Sequence, residues 1–491
     1  MLTRSAGILL PISALATKGG IGTLGKEAFD FVDKLKRAGQ TYWQVLPVNP
    51  AGKGNSPYQP LSVFAGSMLY IDLERLAEEG LIDKTQIPDG ESSYVNYTKV
   101  SAVKDKVLRS AFEKFTPDEE YNTFVKENEF WLEPYALFMA IRREYKGKEL
   151  VFWKQEDRAY TQSVKERYGE KLKSDCDYHK FLQYRFFSDW KRLHDYCNAN
   201  GIKLMGDMPI YVSPDGADLW MQPDQFELDE GYNPTHVAGV PPDCFSETGQ
   251  RWGNPLYSWD VMAEDKFNWW CQRIKVASKL FDALRIDHFI GLARYWSIPA
   301  KSETAIKGKW RKGPGKAFVD AINLAAGDMQ IVAEDLGLPH IAAKRLLKYS
   351  GYPGMKVMQF EFDEGAEPYN LAKNTVIYGA THDNDTLAGW FNSLPQNRKD
   401  FVCDYIGAKG KADVKDRLLS FGYASPCDLA IFQLQDLLWL DSKARMNIPG
   451  TPTGNWRWRM KKGAFDEKTI EKLCKLTQLY GRTEKNNGDK I

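Results

Sequence analysis

Ala283-Leu284-Arg285-Ile286-Asp287-His288 is a short apolar run that ends in an acid, and Gln330-Ile331-Val332-Ala333-Glu334 repeats the arrangement further along. Runs this short, bounded by turn chemistry, read as buried strands of a parallel sheet. The same pattern recurs at 7–11, 42–48, 202–208, 355–360, 375–381 and 429–432, usually followed by helical periodicity. Alternating strands and helices are the mark of parallel βα units. Eight units predict an α/β fold of the (β/α)8 barrel type over residues 1–491, with a doubly wound open sheet as the alternative.

Two stretches interrupt the alternation. Residues 75–200 read mostly as charged amphipathic helix, an inserted helical subdomain between the second and third strands. In its last helix Leu182, Phe186, Trp190 and Leu193 share one face, and Asn200-Gly201 supplies a stop before the next strand. Residues 211–257 are rich in Pro, Gly and Trp with little periodicity, and read as a long functional loop region.

The bulk numbers narrow the partners. Lysine plus arginine (66) and aspartate plus glutamate (65) nearly cancel, so no charged field points to nucleic acid. Seven scattered cysteines contain no C-x-x-C pair, which predicts neither zinc nor a disulfide framework and suits a reducing cytoplasm. Arg4, the apolar run 6–12 and Ala14-Leu15-Ala16 imitate an export signal. With a single charge, a minimal apolar length and Pro11 inside it, the stretch reads instead as a first buried strand. No apolar run approaches the roughly 20 residues a membrane helix requires.

Gly20-Ile21-Gly22-Thr23-Leu24-Gly25 matches the dinucleotide fingerprint between a strand and a helix. The next strand carries no acid at its end for a ribose, and Glu27 stands where a phosphate loop needs Ser or Thr. A tight βα turn is the better reading. The six histidines are dispersed without H-x-x-x-H spacing, so neither a metal nor an organic cofactor is expected.

Four of the strands end in acids: Asp207, Asp287, Glu334 and Asp383. Any one of them alone would be read as a helix N-cap. In a barrel the strand ends converge on one face, where active sites lie. Arg285 and Asp287, two apart in a strand, point to the same side. With His288 and His382 flanking, the set suits glycoside chemistry, in which one carboxylate attacks and another, kept neutral by crowding anions, protonates the leaving oxygen. Glu334, facing Asp287 and Asp383, is the candidate acid. Loop aromatics Tyr58, Tyr211, Trp220, Tyr232, Phe245 and Trp252 offer flat faces on which sugars pack.

Taken with their neighbours, these segments resemble the amylomaltases, the 4-α-glucanotransferases or disproportionating enzymes of the α-amylase clan. The resemblance rests on Gly39-Gln40 through Trp43-Gln44-Val45-Leu46-Pro47, Ser56-Pro57-Tyr58-Gln59, Arg285-Ile286-Asp287-His288 and Ala333-Glu334-Asp335-Leu336-Gly337. It continues in Thr381-His382-Asp383-Asn384-Asp385-Thr386 and in Ala444-Arg445-Met446-Asn447 with Pro449-Gly450-Thr451. It implies an inserted barrel without a separate C-terminal β-domain, and transfer of α-1,4-glucan segments between maltooligosaccharides. Asp287 would be the nucleophile, Glu334 the acid/base and Asp383 the third carboxylate. Substrate contacts would fall to Ser56, Tyr58, Asp207, Asp243, Phe245, Gln250, Trp252, Arg285, His288, His382 and Asn455, with the segment from Gly239 to Gly253 overhanging the cleft. Two features depart from the family pattern: Cys244 replaces an aromatic, and Glu367-Pro368-Tyr369-Asn370 is shortened.

Overall fold

Each of the eight runs overlaps a strand, and all eight strands belong to one parallel sheet. They are β1 (Ser5–Leu9), β2 (Tyr42–Gln44), β3 (Lys203–Met208), β4 (Ala283–Ile286), β5 (Gln330–Ala333), β6 (Gly354–Val357), β7 (Thr375–Tyr378) and β8 (Leu429–Gln433). The computed structural model describes residues 2–242, 246–337 and 340–483. The order is β6-β7-β8-β1-β2-β3-β4-β5, so every strand lies beside its sequence neighbour and β1 pairs with β8. Leu9 aligns with Gln44 on one side and Gln433 on the other, and Ala283 aligns with Gln330.

The remaining junction, β5 to β6, closes with fewer bonds. Ala333 N–H donates to Pro353 O at 2.9 Å, and Met355 N–H donates to the Asp335 carboxylate at 2.8 Å. The sheet is therefore a (β/α)8 barrel. Its interior is filled rather than open: Tyr42 on β2 donates to Gln330 on β5 at 3.0 Å, and Tyr378 on β7 donates to Gln44 on β2 at 2.9 Å. These polar residues sit among strands whose positions in β1, β4 and β8 are all buried. Because they bond each other across the barrel, their burial leaves no unpaired oxygen there.

Between β2 and β3 the chain forms several helices, among them Tyr97–Lys114, Glu129–Glu144 and Lys173–Ala199. Leu182, Phe186, Trp190 and Leu193 on the last are buried, and the Trp190 indole donates to Leu280 O at 2.9 Å, locking that helix to the end of the helix before β4. Gly201 takes φ 73°, which only glycine adopts without strain, and turns the chain into β3. The Gly20–Gly25 motif is structural: a Cβ on Gly22 would lie 1.7 Å from Ile12 O, and Gly25 caps the helix Lys26–Arg37.

Two details differ from the sequence reading. The apolar run 355–360 leaves the sheet at Val357 and becomes the short helix Met358–Glu361, because apolar content alone does not separate a strand from a buried helical turn. Within 211–257, His236–Val240 and Gln250–Pro255 are strands of a second, antiparallel sheet completed by Arg294–Pro299 and Lys309–Lys312. A register irregularity between Val237 and Gly239, and Gly239 pressed against Gln250 O, remove the alternation that would have shown them. Among the described residues no helix is long and apolar enough to cross a membrane.

Candidate active site

The C-terminal ends of β3, β4, β5 and β7 bring the four acids to one face of the barrel. Arg285, buried on β4, organises two of them. Its Nη1 lies 2.7 and 2.9 Å from the two carboxylate oxygens of Asp207 and 2.9 Å from Asp287 Oδ1. Its Nε lies 3.3 Å from the Met355 sulfur, so the guanidinium is fixed from β6 as well. Burial opposes its charge, but Asp207 and Asp287 outweigh that and hold it protonated.

Asp207 also accepts the Tyr58 hydroxyl at 2.9 Å; that hydroxyl sits 3.2 Å from His382 Nδ1, and the two rings stack with centroids 4.7 Å apart. Ser56 Oγ accepts Tyr58 N–H at 3.2 Å and so fixes the turn that presents the tyrosine. His382 Nε2 in turn lies 3.4 Å from Asp383. Burial lowers the basicity of His382, yet Asp383 and Asp207 reverse the effect and raise it. Asp383 responds in kind: burial pushes its pKa up, but His382, Asn447 and Arg285 bring it down to about 2.

Glu334 is held differently. His288 takes φ 54°, a left-handed conformation that folds the chain back after β4. The His288 N–H thereby donates to Glu334 Oε2 at 2.7 Å and Phe289 N–H to Glu334 O at 2.9 Å, while Leu336 N–H donates to Oε1 at 2.8 Å. Burial first, and the charge of Asp287 second, raise the Glu334 pKa to about 7. The crowding expected from sequence contributes, but removal from water is the larger cause. Burial also lowers the His288 imidazole to about 4, leaving it uncharged near neutrality.

Trp252, in the segment from Gly239 to Gly253, reaches His288. The Trp252 ring meets the His288 ring edge-on at 4.9 Å, and its indole donates to Gln250 Oε1 at 3.2 Å. Asp243, Cys244 and Phe245 lie outside the described residues. Two of the proposed sugar platforms are core instead: Tyr211 is buried against Tyr257, and Trp220 is buried against Phe138 and Tyr160 with its indole on Asp157 O. Loop composition does not distinguish an aromatic facing a cleft from one that seals an insertion.

Asn455 makes its side-chain hydrogen bonds within its own loop, next to Asn447. Its side chain accepts Ile448 N–H at 3.0 Å and donates to Thr451 O and Oγ1, closing its own loop. Asn447 bonds one of the carboxylates directly: its Nδ2 donates to Asp383 Oδ1 at 2.6 Å and its N–H donates to His382 O at 3.1 Å. Arg445 completes the clamp by donating to Asp383 O at 2.6 Å and Asn447 O at 2.7 Å. Both stand in the Ala444-Arg445-Met446-Asn447 motif on which the family resemblance partly rests. Among the described residues no group of three or more His, Cys, Asp or Glu could hold a metal ion.

A parallel barrel with buried and ion-paired carboxylates converging on its C-terminal face defines an enzyme of the (β/α)8 class whose chemistry is carried by acids. The model of one family, described as 4-alpha-glucanotransferase, matches residues 10–465. The chain belongs to this family, glycosyltransferases that act on α-1,4-glucans, within the α-amylase clan. It is 41% identical to the 4-alpha-glucanotransferase of Clostridium butyricum, over 96% of this chain and 100% of the relative. It is 42% identical to the enzyme of that name from Thermus thermophilus, over 99% of both chains. An amylomaltase from Streptococcus agalactiae, solved in complex with acarbose, superposes with TM-score 0.94 at 37% identity, over 98% of this chain and all of that one.

Proposed function

We propose that the chain transfers an α-1,4-glucan segment by a retaining double displacement through a covalent glycosyl-Asp287 intermediate. In the first half, Glu334 gives its proton to the glycosidic oxygen as that oxygen leaves the anomeric carbon, and an Asp287 oxygen forms the new bond to that carbon. The reducing-end fragment departs with a free 4-hydroxyl. In the second half, the 4-hydroxyl of an incoming glucan gives its proton to the Glu334 carboxylate and attacks the same carbon, releasing Asp287. Two inversions restore the α configuration.

The observation that carries this reading is the contrast between neighbours: Glu334 is poised near neutrality, while Asp287 faces a protonated Arg285 at 2.9 Å. That is the division of labour between a proton donor and an anionic nucleophile. Asp383, ionised at any working pH, is assigned to stabilising the oxocarbenium-like transition state. Arg285, Asp207, His288 and His382 are assigned to hydroxyls of the sugar next to the scissile bond, and Tyr58 to its face. Ser56 fixes Tyr58, while Gln250, Trp252, Asp243 and Phe245 are assigned to the overhang that excludes water. Residues 75–200 are assigned to an inserted helical subdomain between the second and third strands. Maltooligosaccharide binding is supported by the acarbose held by the Streptococcus agalactiae relative, and a reducing cytoplasm by six free cysteines among the described residues.

Maltotriose tests the assignment. Transfer produces glucose together with a ladder of longer oligomers, whereas hydrolysis produces only glucose and maltose. Asp287→Ala and Glu334→Ala are each expected to lose the ladder while keeping the melting profile of a folded protein. A normal ladder from Asp287→Ala would overturn the nucleophile.

A further inference from the structure

We infer that Tyr369, Tyr405 and Phe401 form an outer ledge on which a long α-glucan lays successive sugar rings beyond the carboxylate cluster. This rests on the glucan-transfer reading above. All three are large apolar side chains open to water: Tyr369 is 73% exposed, Phe401 41% and Tyr405 39%. Aromatic side chains grouped at a surface mark a binding region, and rings with polar neighbours suit sugars, whose C–H faces stack while their hydroxyls hydrogen-bond.

The ledge is built to be rigid. Phe401 and Tyr405 lie one turn apart on the helix Gln396–Ile406 with ring centroids 6.1 Å apart. The Tyr405 ring rests on the buried Phe362 at 5.7 Å, and Phe362 is backed by Phe421 at 5.2 Å and Trp390 at 6.2 Å. Arg398 donates to Phe362 O and places its guanidinium 5.5 Å from the Phe401 ring. Tyr369 stands on a turn fixed by Asn370 N–H to Glu367 O at 2.8 Å and by the buried Pro368, in the same segment as Phe362, on which the Tyr405 ring rests. A ring presented this way loses little freedom when a ligand covers it.

Its position follows from topology. Residues 358–374 leave the C-terminal end of β6, and the helix Leu387–Ser393 leaves that of β7, so Phe362 and Trp390 meet on the catalytic face. Gln359 joins this segment to the reacting centre by donating to Asp385 O at 2.6 Å, two residues from Asp383. A polymer leaving the centre on this side meets the ledge, whereas a trisaccharide occupying the centre is too short to need it.

The test compares wild type with Tyr369→Ala/Tyr405→Ala. Retardation in native gels containing soluble glycogen reads binding, and kcat/KM for long amylose relative to maltotriose reads use of the ledge. The double variant is expected to bind glycogen about tenfold more weakly and to lower that ratio about tenfold, as loss of stacked rings implies. An unchanged ratio, whether both substrates are unaffected or both suffer equally, overturns the ledge. Unchanged glycogen retardation does so too, as does a wild-type dimer in sedimentation velocity that Tyr369→Ala dissolves, since a second copy would then cover the rings. If the double variant misfolds, Tyr369→Ser alone, at the most exposed position, decides. Retardation is repeated in Asp287→Asn, which needs no turnover; if wild type makes no maltotriose ladder, transfer fails while the retardation still judges the ledge.

Discussion

Replacing Glu334 by glutamine turns the proposed acid into a thermometer of its own environment. The carboxyl is 8% exposed, and its pKa stands at about 7 in the fold against 4.5 ordinarily. Between those values the folded chain keeps a proton that the unfolded chain has lost, so stability falls as pH rises from about 4.5 through about 7 and then levels off. The whole interval corresponds to roughly 3 kcal/mol, of which about 2.5 falls between pH 5 and pH 8. With an unfolding entropy near 1 kcal/mol/K for 491 residues, that is about 2 to 3 °C in Tm. Glu334→Gln cannot ionise and lacks this slope. It carries a separate, pH-independent cost of about 1–3 kcal/mol, because its NH2 must face one of the two backbone donors, His288 N–H or Leu336 N–H. Calorimetric scans of both proteins at one scan rate should show Tm(wild type) minus Tm(variant) shrinking by about 2 to 3 °C from pH 5 to pH 8. A difference that stays constant across that range would mean that Glu334 ionises in place at no cost, and the proton-donor argument would lose its basis.

Arg285→Met leaves Asp207 and Asp287 without their shared cation and should cost about 3–5 kcal/mol in urea unfolding, with transfer slowed more than about a hundredfold. Arg285→Lys, which keeps the charge but not the fork, should recover only part of that loss. Asn447→Ala removes a 2.6 Å hydrogen bond to the Asp383 carboxylate and should lower kcat about 10- to 100-fold. Because that bond helps hold Asp383 down at about 2, its loss should also move the acidic limb of the pH–rate profile upward; a kcat within twofold of wild type would contradict the clamp. Asp335→Ala strips the acceptor from Met355 N–H at the β5–β6 junction and should destabilise by about 1–3 kcal/mol, whereas Asp335→Asn keeps a carbonyl there and should retain most of the stability.

The sheet was legible because each barrel strand is buried on both faces and so writes itself as an apolar run ending in turn chemistry. Asp207, Asp287, Glu334 and Asp383 were legible because strand ends in a barrel share a face, and Arg285 because it lies two residues from Asp287. What escaped depends on partners far away in the chain. Nothing around Asn447 reveals that it meets Asp383 rather than closing its own loop, as Asn455 does. Tyr211 and Trp220 read like open loop aromatics, yet their neighbours Tyr257 and Phe138 bury them. The antiparallel sheet escaped because one of its two central strands is irregular at Val237–Gly239 and one of its two outer strands is Lys309-Trp310-Arg311-Lys312, a mostly charged edge. Asp335 reads as an ordinary acid after a strand, although its carboxylate stands in for a ladder bond at the one junction where pairing is incomplete.

The covalent intermediate is the central claim, and trapping it is the most direct test. Incubation with a 5-fluoro maltotriosyl fluoride, whose second step is slow, followed by peptide mass spectrometry should place one glycosyl adduct on the peptide containing Asp287, and none should form in Asp287→Asn. An adduct on Glu334 or Asp383, or turnover that yields products of inverted configuration with no adduct at all, would contradict it.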